Sequence, residues 1–229
     1  MLKKTALLSQ IIKQYLCSAA PVGSKLLAQK SSFAVSSATI RNNMAWLEKE
    51  GYIVQPHTSA GRVPTEKGYC LYLEDLVTSF ELAEQKKKLL KSYLGKINSQ
   101  AMEPQIKKLA QMIAEMSHNA VVVGFSADNV YYTGIANLFA QPEFSDQNCV
   151  YNLSLVIDHL DKVMEEIFTE IRKVEIKIGS QNPFGNNCSV ILTPWQIKKK
   201  KGILGILGPM RMDYENNLGI INFVNQNIV

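Results

Sequence analysis

A short stretch of this sequence is crowded with side chains that can hydrogen-bond to the bases and phosphates of nucleic acid. Asparagine can bind adenine through two hydrogen bonds, arginine can bind guanine in the same way, and serine and threonine suit either a base or a phosphate. No acidic residue lies among them, so a polyanion would not be repelled. The candidate contact residues are Ser36, Ser37, Thr39, Arg41, Asn42 and Asn43.

Two further candidates, His57 and Arg62, follow in a segment whose composition is typical of a β-hairpin. Residues 52–55 alternate in polarity like a strand, and the turn after them returns at Arg62. An arginine at a hairpin tip suits a phosphate or the narrow minor groove of A·T-rich DNA, and a nearby histidine gains charge as the pH falls. The alternative is that Arg62 pairs with Glu66, four residues further along the chain.

A bounded helix is needed to present the first set of residues. Either Ser36 or Ser37 can cap its N-terminus, and Gly51 can end it in the left-handed conformation. Apolar residues recur at i, i+4 and i+7, so one stripe faces a core while the polar residues point elsewhere. The apolar stripe consists of Ile40, Met44 and Leu47.

Two helices are predicted before this one, over residues 5–18 and 25–30, and residues 31–35 supply a turn. Helix, turn and helix followed by a hairpin is the order of a winged helix-turn-helix domain. The stretch between residues 1 and 73 contains nine basic and three acidic residues, although the whole chain carries a net charge of only +5. A positive field confined to the first third of the chain would attract a polyanion.

Four segments of the chain are similar to one protein family, the bacterial heat-inducible transcription repressors known as HrcA. The second segment is too long to recur by chance. The segments are PVGSKLLAQK, VSSATIRNNMAWLEKEGYIVQPHTSAGRVPTEKGY, NLFAQPEFSD and GILGILGPMRMDY, which together span Pro21 to Tyr214.

This resemblance implies a dimeric repressor that binds double-stranded DNA at an inverted repeat upstream of heat-shock chaperone operons. It also implies a GAF-like domain behind the DNA-binding domain and a chaperonin as a partner. The family commonly has an acid at the counterpart of Asn43 and a polar residue at that of Trp46, so we expect a variant operator. Family members also carry a module, associated with dimerisation, between the counterparts of the Val121 strand and Asn137. This chain lacks the module.

We therefore predict an α+β protein of three parts: a winged helix-turn-helix domain over residues 1–75, a helical connector over 76–103 and a GAF-like α/β domain over 104–229. A helix from Glu66 to Phe80 leads into the connector. A second helix in the connector, residues 81–102, carries Leu90 and Leu94 and is the predicted dimer helix. Its lysine run, residues 86–88, is interpreted as solvated surface. Pro104 marks the next boundary.

The last part of the chain alternates between helical and strand patterns, which predicts a sheet with helices on its faces. Helices are predicted over 105–117, 146–160 and 161–172, and from Asp213 onwards. Strands are predicted over 120–125, 130–133, 174–178, 190–193 and 203–207.

No catalytic constellation, cofactor motif or metal-ligand spacing is found, so we predict that the protein is not an enzyme. The three histidines are isolated, and the four cysteines form no C-x-x-C pair and are interpreted as packing residues. Asp213 is expected to cap the last helix and to pair with Arg211. Phe139, Pro142 and Phe144 are assigned to core packing, with a docking patch as the alternative.

Neither a membrane span nor a signal peptide is predicted, so we expect a cytoplasmic protein. Two functions stay open at this point. The first is repression of chaperone operons in the stress response. The second is regulation of other genes by a winged helix whose GAF-like domain binds a metabolite.

Overall fold

The chain forms two compact units, residues 1–79 and 80–229. The computed structural model describes residues 4–30, 33, 35–76, 81–98, 100–145 and 147–228. The division falls after residue 79, whereas the sequence analysis placed boundaries after residues 75 and 103. The end of the predicted 66–80 helix lies outside the described residues from residue 77 onwards.

The described residues of the first unit form three helices, a two-stranded antiparallel hairpin and a fourth helix. Its core is built from one side of each helix: Leu7, Leu8, Ile11 and Ile12 are fully buried in the first helix, and Ile40, Met44 and Leu47 in the third. The elements are α1 (Lys4–Ser18), α2 (Ser24–Lys30), α3 (Ser37–Lys49), β1 (Ile53–Val54), β2 (Val63–Pro64) and α4 (Glu66–Leu76).

Local signals explain where α3 begins and ends. Of the two serines predicted to cap it, Ser36 does so, because its Oγ accepts the backbone N–H of Thr39 at 3.2 Å. Gly51 follows the helix with a φ of +78°, the left-handed conformation that glycine adopts without strain. The predicted helix and its apolar stripe are therefore both observed.

The second unit is built on a five-stranded, wholly antiparallel sheet in the order β4-β3-β7-β6-β5. Its strands are β3 (Ala120–Gly124), β4 (Val130–Thr133), β5 (Glu175–Ile178), β6 (Cys188–Ile197) and β7 (Lys200–Pro209). Its helices are α5 (Glu84–Leu94), α6 (Met102–Ser117), α7 (Ile135–Phe139), α8 (Gln147–Asp158), α9 (Leu160–Glu170) and α10 (Tyr214–Asn227).

Side chains alternate between the two faces of this sheet, and each face has its own core. Ala120 and Val122 share one core with Met164 and Ile167 of α9. The alternate residues, such as Val121 and Val123, are fully buried on the face that α6 and α10 cover. The mixed α+β class predicted for the chain is thus observed.

The segment predicted as a connector is part of this second unit. Its helix, α5, ends at Leu94 rather than continuing to residue 102, and Leu90 is fully buried. Lys86, interpreted as solvated surface, donates from Nζ to the Met116 carbonyl at 3.1 Å and to Asn216 Oδ1. The apolar stripe of α5 is therefore buried against α6 and α10, and Leu90 is not accessible to a second chain.

Other bounds also differ from the predictions: β6 and β7 have ten residues each, where strands over 190–193 and 203–207 were predicted. Pro104 lies in the first turn of α6, where a missing backbone N–H leaves no helical hydrogen bond unmade. The short helix α7 was not predicted, because five residues are too few for a periodic pattern. In the described part of the chain, no helix combines the length and apolarity needed to cross a membrane.

Candidate nucleic-acid interface

One side of α3 is an exposed stripe that faces away from the core of the first unit. Its members follow one another at i, i+3, i+4, i+7 and i+11, opposite the buried stripe, so they share one helix face. Two are alanines, whose small side chains would let the helix backbone approach a surface closely. The stripe consists of Ala38, Arg41, Asn42, Ala45 and Lys49.

Arg41 and Asn42 are exposed on this stripe, whereas the other predicted contact residues of α3 are half-buried or hydrogen-bonded within the helix. The Ser36 Oγ that caps α3 lies 3.0 Å from the Thr39 Oγ1. Ser37 is half-buried. Asn43, also half-buried, donates from Nδ2 to the Thr39 carbonyl at 2.9 Å, which leaves its Oδ1 as an acceptor.

Arg62 does not lie at the hairpin tip, where the sequence analysis placed it, and its partner is not Glu66, the predicted alternative. Its backbone forms a β-bridge with Val22 at the base of the hairpin, with N···O distances of 2.8 and 2.9 Å. Its guanidinium binds Glu48 Oε2 on α3, with Nη2 at 2.9 Å and Nε at 3.2 Å, rather than Glu66. The chain returns against the last turns of α3, and Arg62 therefore anchors the hairpin to that helix.

Close packing of backbones fixes the same base. A Cβ added at Gly61 would lie 2.5 Å from the carbonyl carbon of Val22, well inside van der Waals contact. Only glycine therefore lets the returning chain bridge to Val22 at this point. The hairpin is held from two sides, by this bridge and by the pair between Arg62 and Glu48.

The tip of the hairpin is a polar turn organised by Gln55. Its Nε2 donates to the carbonyl oxygens of Thr58 and Ala60, each at 2.9 Å. His57 and Thr58 are exposed at this tip, as is Ser59. His57 is thus in the position predicted for a contact residue, and Gln55, which the sequence analysis did not select, holds the turn in shape.

Two lysines beside α3 were also missed by the sequence analysis. Lys4 Nζ lies 3.4 Å from the ring centroid of Trp46, and Lys67 Nζ lies 4.5 Å from that of Tyr52. The two rings are neighbours, with centroids 6.4 Å apart. Aromatic faces attract cations, so the rings hold these ammonium groups near the exposed stripe. Trp46, for which the resemblance implied a polar counterpart, supplies one of the two rings.

The two motifs of the second unit, NLFAQPEFSD and GILGILGPMRMDY, contact each other through side chains and do not form a separate site. Arg211 binds Glu143 through Nε at 2.6 Å and Nη2 at 3.3 Å, and its Nη2 also donates to Gln141 Oε1 at 3.1 Å. The predicted pair of Arg211 with Asp213 is therefore wrong. Asp213 does cap α10, by accepting the Asn216 N–H at 3.0 Å.

The aromatic residues of the NLFAQPEF motif divide between core and surface. Phe144 is buried in the sheet core, whereas Phe139 is 40% exposed, with ring centroids 6.3 Å apart.

Burial raises the pKa of the Cys188 thiol to about 12, so this cysteine stays protonated and packs as an apolar residue. Among the residues that the structure describes, no group of three or more His, Cys, Asp or Glu could hold a metal ion.

A polar helix face beside a hairpin in one unit, joined to a second α+β unit, is typical of two-domain DNA-binding regulators. The family model of the HrcA protein C-terminal domain matches residues 67–217, well over half of the chain. The chain belongs to the HrcA family.

Relatives named heat-inducible transcription repressor HrcA match nearly the whole chain. The protein of Pelotomaculum thermopropionicum is 25% identical over 99% of this chain and 95% of its own length, and that of Natranaerobius thermophilus is 25% identical over 96% and 93%. The repressor of Bifidobacterium adolescentis is 40% identical over 53% of this chain and 32% of its own length. These names describe transcription repressors rather than enzymes.

The comparison also bears on the missing module. The alignment with the Pelotomaculum protein spans 331 positions, about a hundred more than the 229 residues of this chain can fill. At the predicted place, β3 and β4 are joined by a tight turn in which the Phe125 N–H binds the Asn129 carbonyl at 2.9 Å.

A crystal structure of a hypothetical protein shares the fold, with a TM-score of 0.78, 18% identity and coverage of 98% of this chain and 96% of that one.

Proposed function

We propose that this protein is a cytoplasmic DNA-binding repressor of heat-shock chaperone operons. Its first unit is a winged helix-turn-helix domain with α3 as the recognition helix, and its second unit is a GAF-like regulatory domain. The observation that carries this proposal is the exposed stripe on α3, on the face opposite the core, where Arg41 and Asn42 lie between Ala38 and Ala45 and Lys49 follows one turn later. The family relationship supplies the class of gene.

The contacts divide into base recognition and backbone binding. Arg41 and Asn42, near the N-terminal end of α3, are assigned to base edges in the major groove, with Ser36, Ser37, Thr39 and Asn43 around them. Lys49 is assigned to phosphates, as are Lys4 and Lys67. His57 and its neighbours at the wing tip would contact the flanking DNA. Arg62 acts indirectly, by fixing the wing to α3 through Glu48.

An inverted-repeat operator requires two copies of the chain related by a two-fold axis. The family module is absent and Leu90 is buried, so we assign the dimer contacts to α8 of the second unit. This helix carries no charged residue from Gln147 to Ile157, and its Tyr151 and Leu155, one turn apart, are 63% and 42% exposed. A second copy of the same apolar surface would cover them in a symmetric pair.

Light scattering tests this assignment. The double variant Tyr151→Asp, Leu155→Asp should be monomeric and should bind half-sites weakly. Leu89→Asp is the control, because Leu89 is also exposed, at 52%, but lies on α5. A double variant that remains dimeric would remove α8 from the interface.

We also propose a chaperonin as a partner, as the family resemblance implies. Adding a purified chaperonin should raise the fraction of protein that binds operator.

The function itself is tested by comparing duplexes. At physiological salt, purified protein should bind the inverted repeat upstream of chaperone operons at least about a thousand-fold more tightly than a random duplex. Equal affinity for both duplexes would contradict the proposal. Strong preference for a different sequence would favour regulation of other genes.

A further inference from the structure

The second unit contains an open cleft of about 690 Å³ at one end of its sheet. It lies beside the part of β6 that β5 does not cover, because β5 pairs only with residues 189–192. The ends of α9 and α10 form the two sides. The lining side chains that matter here are Arg172, Trp195, Gln196, Lys201 and Asn225.

The polar lining of the cleft is rich in hydrogen-bond donors. Arg172 and Lys201 are cations, and none of the lining residues is acidic. The Arg172 guanidinium is oriented by the end of α9, where its Nη1 donates to the Phe168 carbonyl at 3.2 Å and the Ile171 carbonyl at 3.4 Å. These contacts leave other N–H groups of the guanidinium for a ligand.

Trp195 supplies an independent sign of a missing acceptor. The residue is 3% exposed, and its indole Nε1 is buried without a hydrogen-bond partner in the part of the chain that the structure describes. A buried N–H of this kind costs free energy unless something binds it. Asn225 adds a second donor, because its Oδ1 is occupied at 3.1 Å by the Thr193 hydroxyl while its Nδ2 has no such contact in the described residues.

A concentration of positive charge surrounds the mouth of the cleft. Four consecutive lysines, residues 198–201, form the exposed tip of the hairpin between β6 and β7, and Lys173 is exposed beside Arg172. Two acids on adjoining elements are paired with other lysines: Glu170 binds Lys177 at 2.6 Å and Glu103 binds Lys107 at 2.8 Å. The electrostatic potential at the mouth of the cleft is therefore positive and comes from several cations.

The shape of the site argues against a peptide as occupant. A strand that added to the uncovered edge of β6 would need backbone donors there, and Pro194 has none. The volume of the cleft is instead in the range of pockets that hold small molecules. A multiply charged ligand with oxygen acceptors would satisfy the cations. The indole N–H, which has no exposed surface in this structure, would reach such an oxygen after a small shift of the Trp195 ring.

We propose that this cleft binds a small organic phosphate of nucleotide size. Its phosphate oxygens contact Arg172 and Lys201, and its remaining polar atoms accept from Trp195 and Asn225. The site lies wholly within the second unit and does not depend on the DNA-binding proposal. It gives this unit a ligand class through which binding of DNA could be regulated.

Tryptophan fluorescence provides a direct test on the full chain. The protein has two tryptophans, so Trp46→Phe leaves Trp195 as the sole reporter. Titration of that variant with a nucleoside triphosphate should change the emission saturably, and calorimetry should give the same Kd. The corresponding nucleoside without phosphate should not bind measurably. Inorganic phosphate alone should bind more weakly.

Matched variants locate the site. Arg172→Ala and Lys201→Ala should each weaken binding by about ten-fold or more, because each removes a charged hydrogen bond. Lys173→Ala and Lys199→Ala remove equally exposed charges outside the lining and should change Kd by less than about three-fold. All four positions are exposed, and unchanged thermal melting will verify that each variant folds.

Three results of these titrations would overturn the proposal, and a fourth comes from competition with DNA. They are no saturable response to the triphosphate, equal binding of the nucleoside, and equal weakening by all four variants. Displacement of the triphosphate by a random-sequence duplex, in protein that also carries Asn42→Ala and Lys49→Ala, would instead make the lysine tip a second DNA contact and would equally reject the small-ligand site.

Discussion

The two basic surfaces of this protein differ in shape, and the difference explains why we assign them different ligands. On α3, Arg41 and Lys49 stand on a convex helix face kept low by alanines. In the second unit, Arg172 and Lys201 line a concave cleft. A convex row can enter a groove and follow a polymer, whereas a concavity encloses one small molecule. Because each surface carries two of these cations, charge alone would not distinguish them.

The largest expected effect tests whether α5 belongs to the second unit's core or is a separate dimer helix. Leu90→Asp puts a charge at a fully buried position without a partner, so it should destabilise the second unit by more than about 4 kcal/mol. Leu89→Asp changes the neighbouring residue, which is 52% exposed, and should cost less than about 0.5 kcal/mol.

Chemical denaturation of the two variants gives the measurement. If Leu90→Asp melted like wild type but became monomeric, α5 would be a dimer helix after all. Its packing on α6 and α10 would then be incidental.

A smaller effect is expected at the recognition helix, where it separates base reading from phosphate binding. Asn42→Ala should cost about 1–3 kcal/mol of binding free energy on the cognate operator and little on random DNA. Lys49→Ala should weaken both duplexes alike and reduce the salt slope by about 0.9, because one phosphate contact is lost. Electrophoretic titrations at several salt concentrations measure both. Identical behaviour of the two variants would mean that the stripe makes no base contacts.

The smallest effect concerns Arg62, which was predicted at the wing tip but binds Glu48 at the base of the hairpin. Arg62→Ala should lower stability by about 1 kcal/mol, because the pair with Glu48 is partly exposed, and should leave the salt slope of DNA binding unchanged. Glu48→Gln should cause a similar loss, and a double-mutant cycle should return a coupling free energy of the same size. A salt slope reduced by Arg62→Ala alone would restore Arg62 as a phosphate contact.

Features set by neighbours in sequence could be predicted, while those set by distant contacts could not. The cap at Ser36 and the buried stripe of α3 depend on residues within three or four positions. The strand at Val130–Thr133 was predicted with its observed bounds because its β-branched and aromatic residues are a local strand signal. In contrast, Arg62 meets Glu48 only after the hairpin folds back, and Arg211 meets Glu143 from 68 positions away.

The proposed cleft shows the same limit. The lysine run at residues 198–201 is visible in the sequence, but its meaning depends on where β5 stops pairing with β6. The unpaired indole of Trp195 appears only when the neighbours of that side chain are known. The exposed stripe on α3 was partly missed for another reason: alanines carry no chemistry, so Ala38 and Ala45 were not selected.

The central claim, that the exposed face of α3 enters DNA, is tested most directly at Ala45. Glu is a good helix former, so Ala45→Glu should leave thermal melting unchanged while it places a negative charge against the phosphates. Ala45→Gln controls for the added bulk. We predict that Ala45→Glu weakens operator binding by at least about a hundred-fold, and more than Ala45→Gln does. Wild-type affinity in Ala45→Glu would show that this face does not contact DNA.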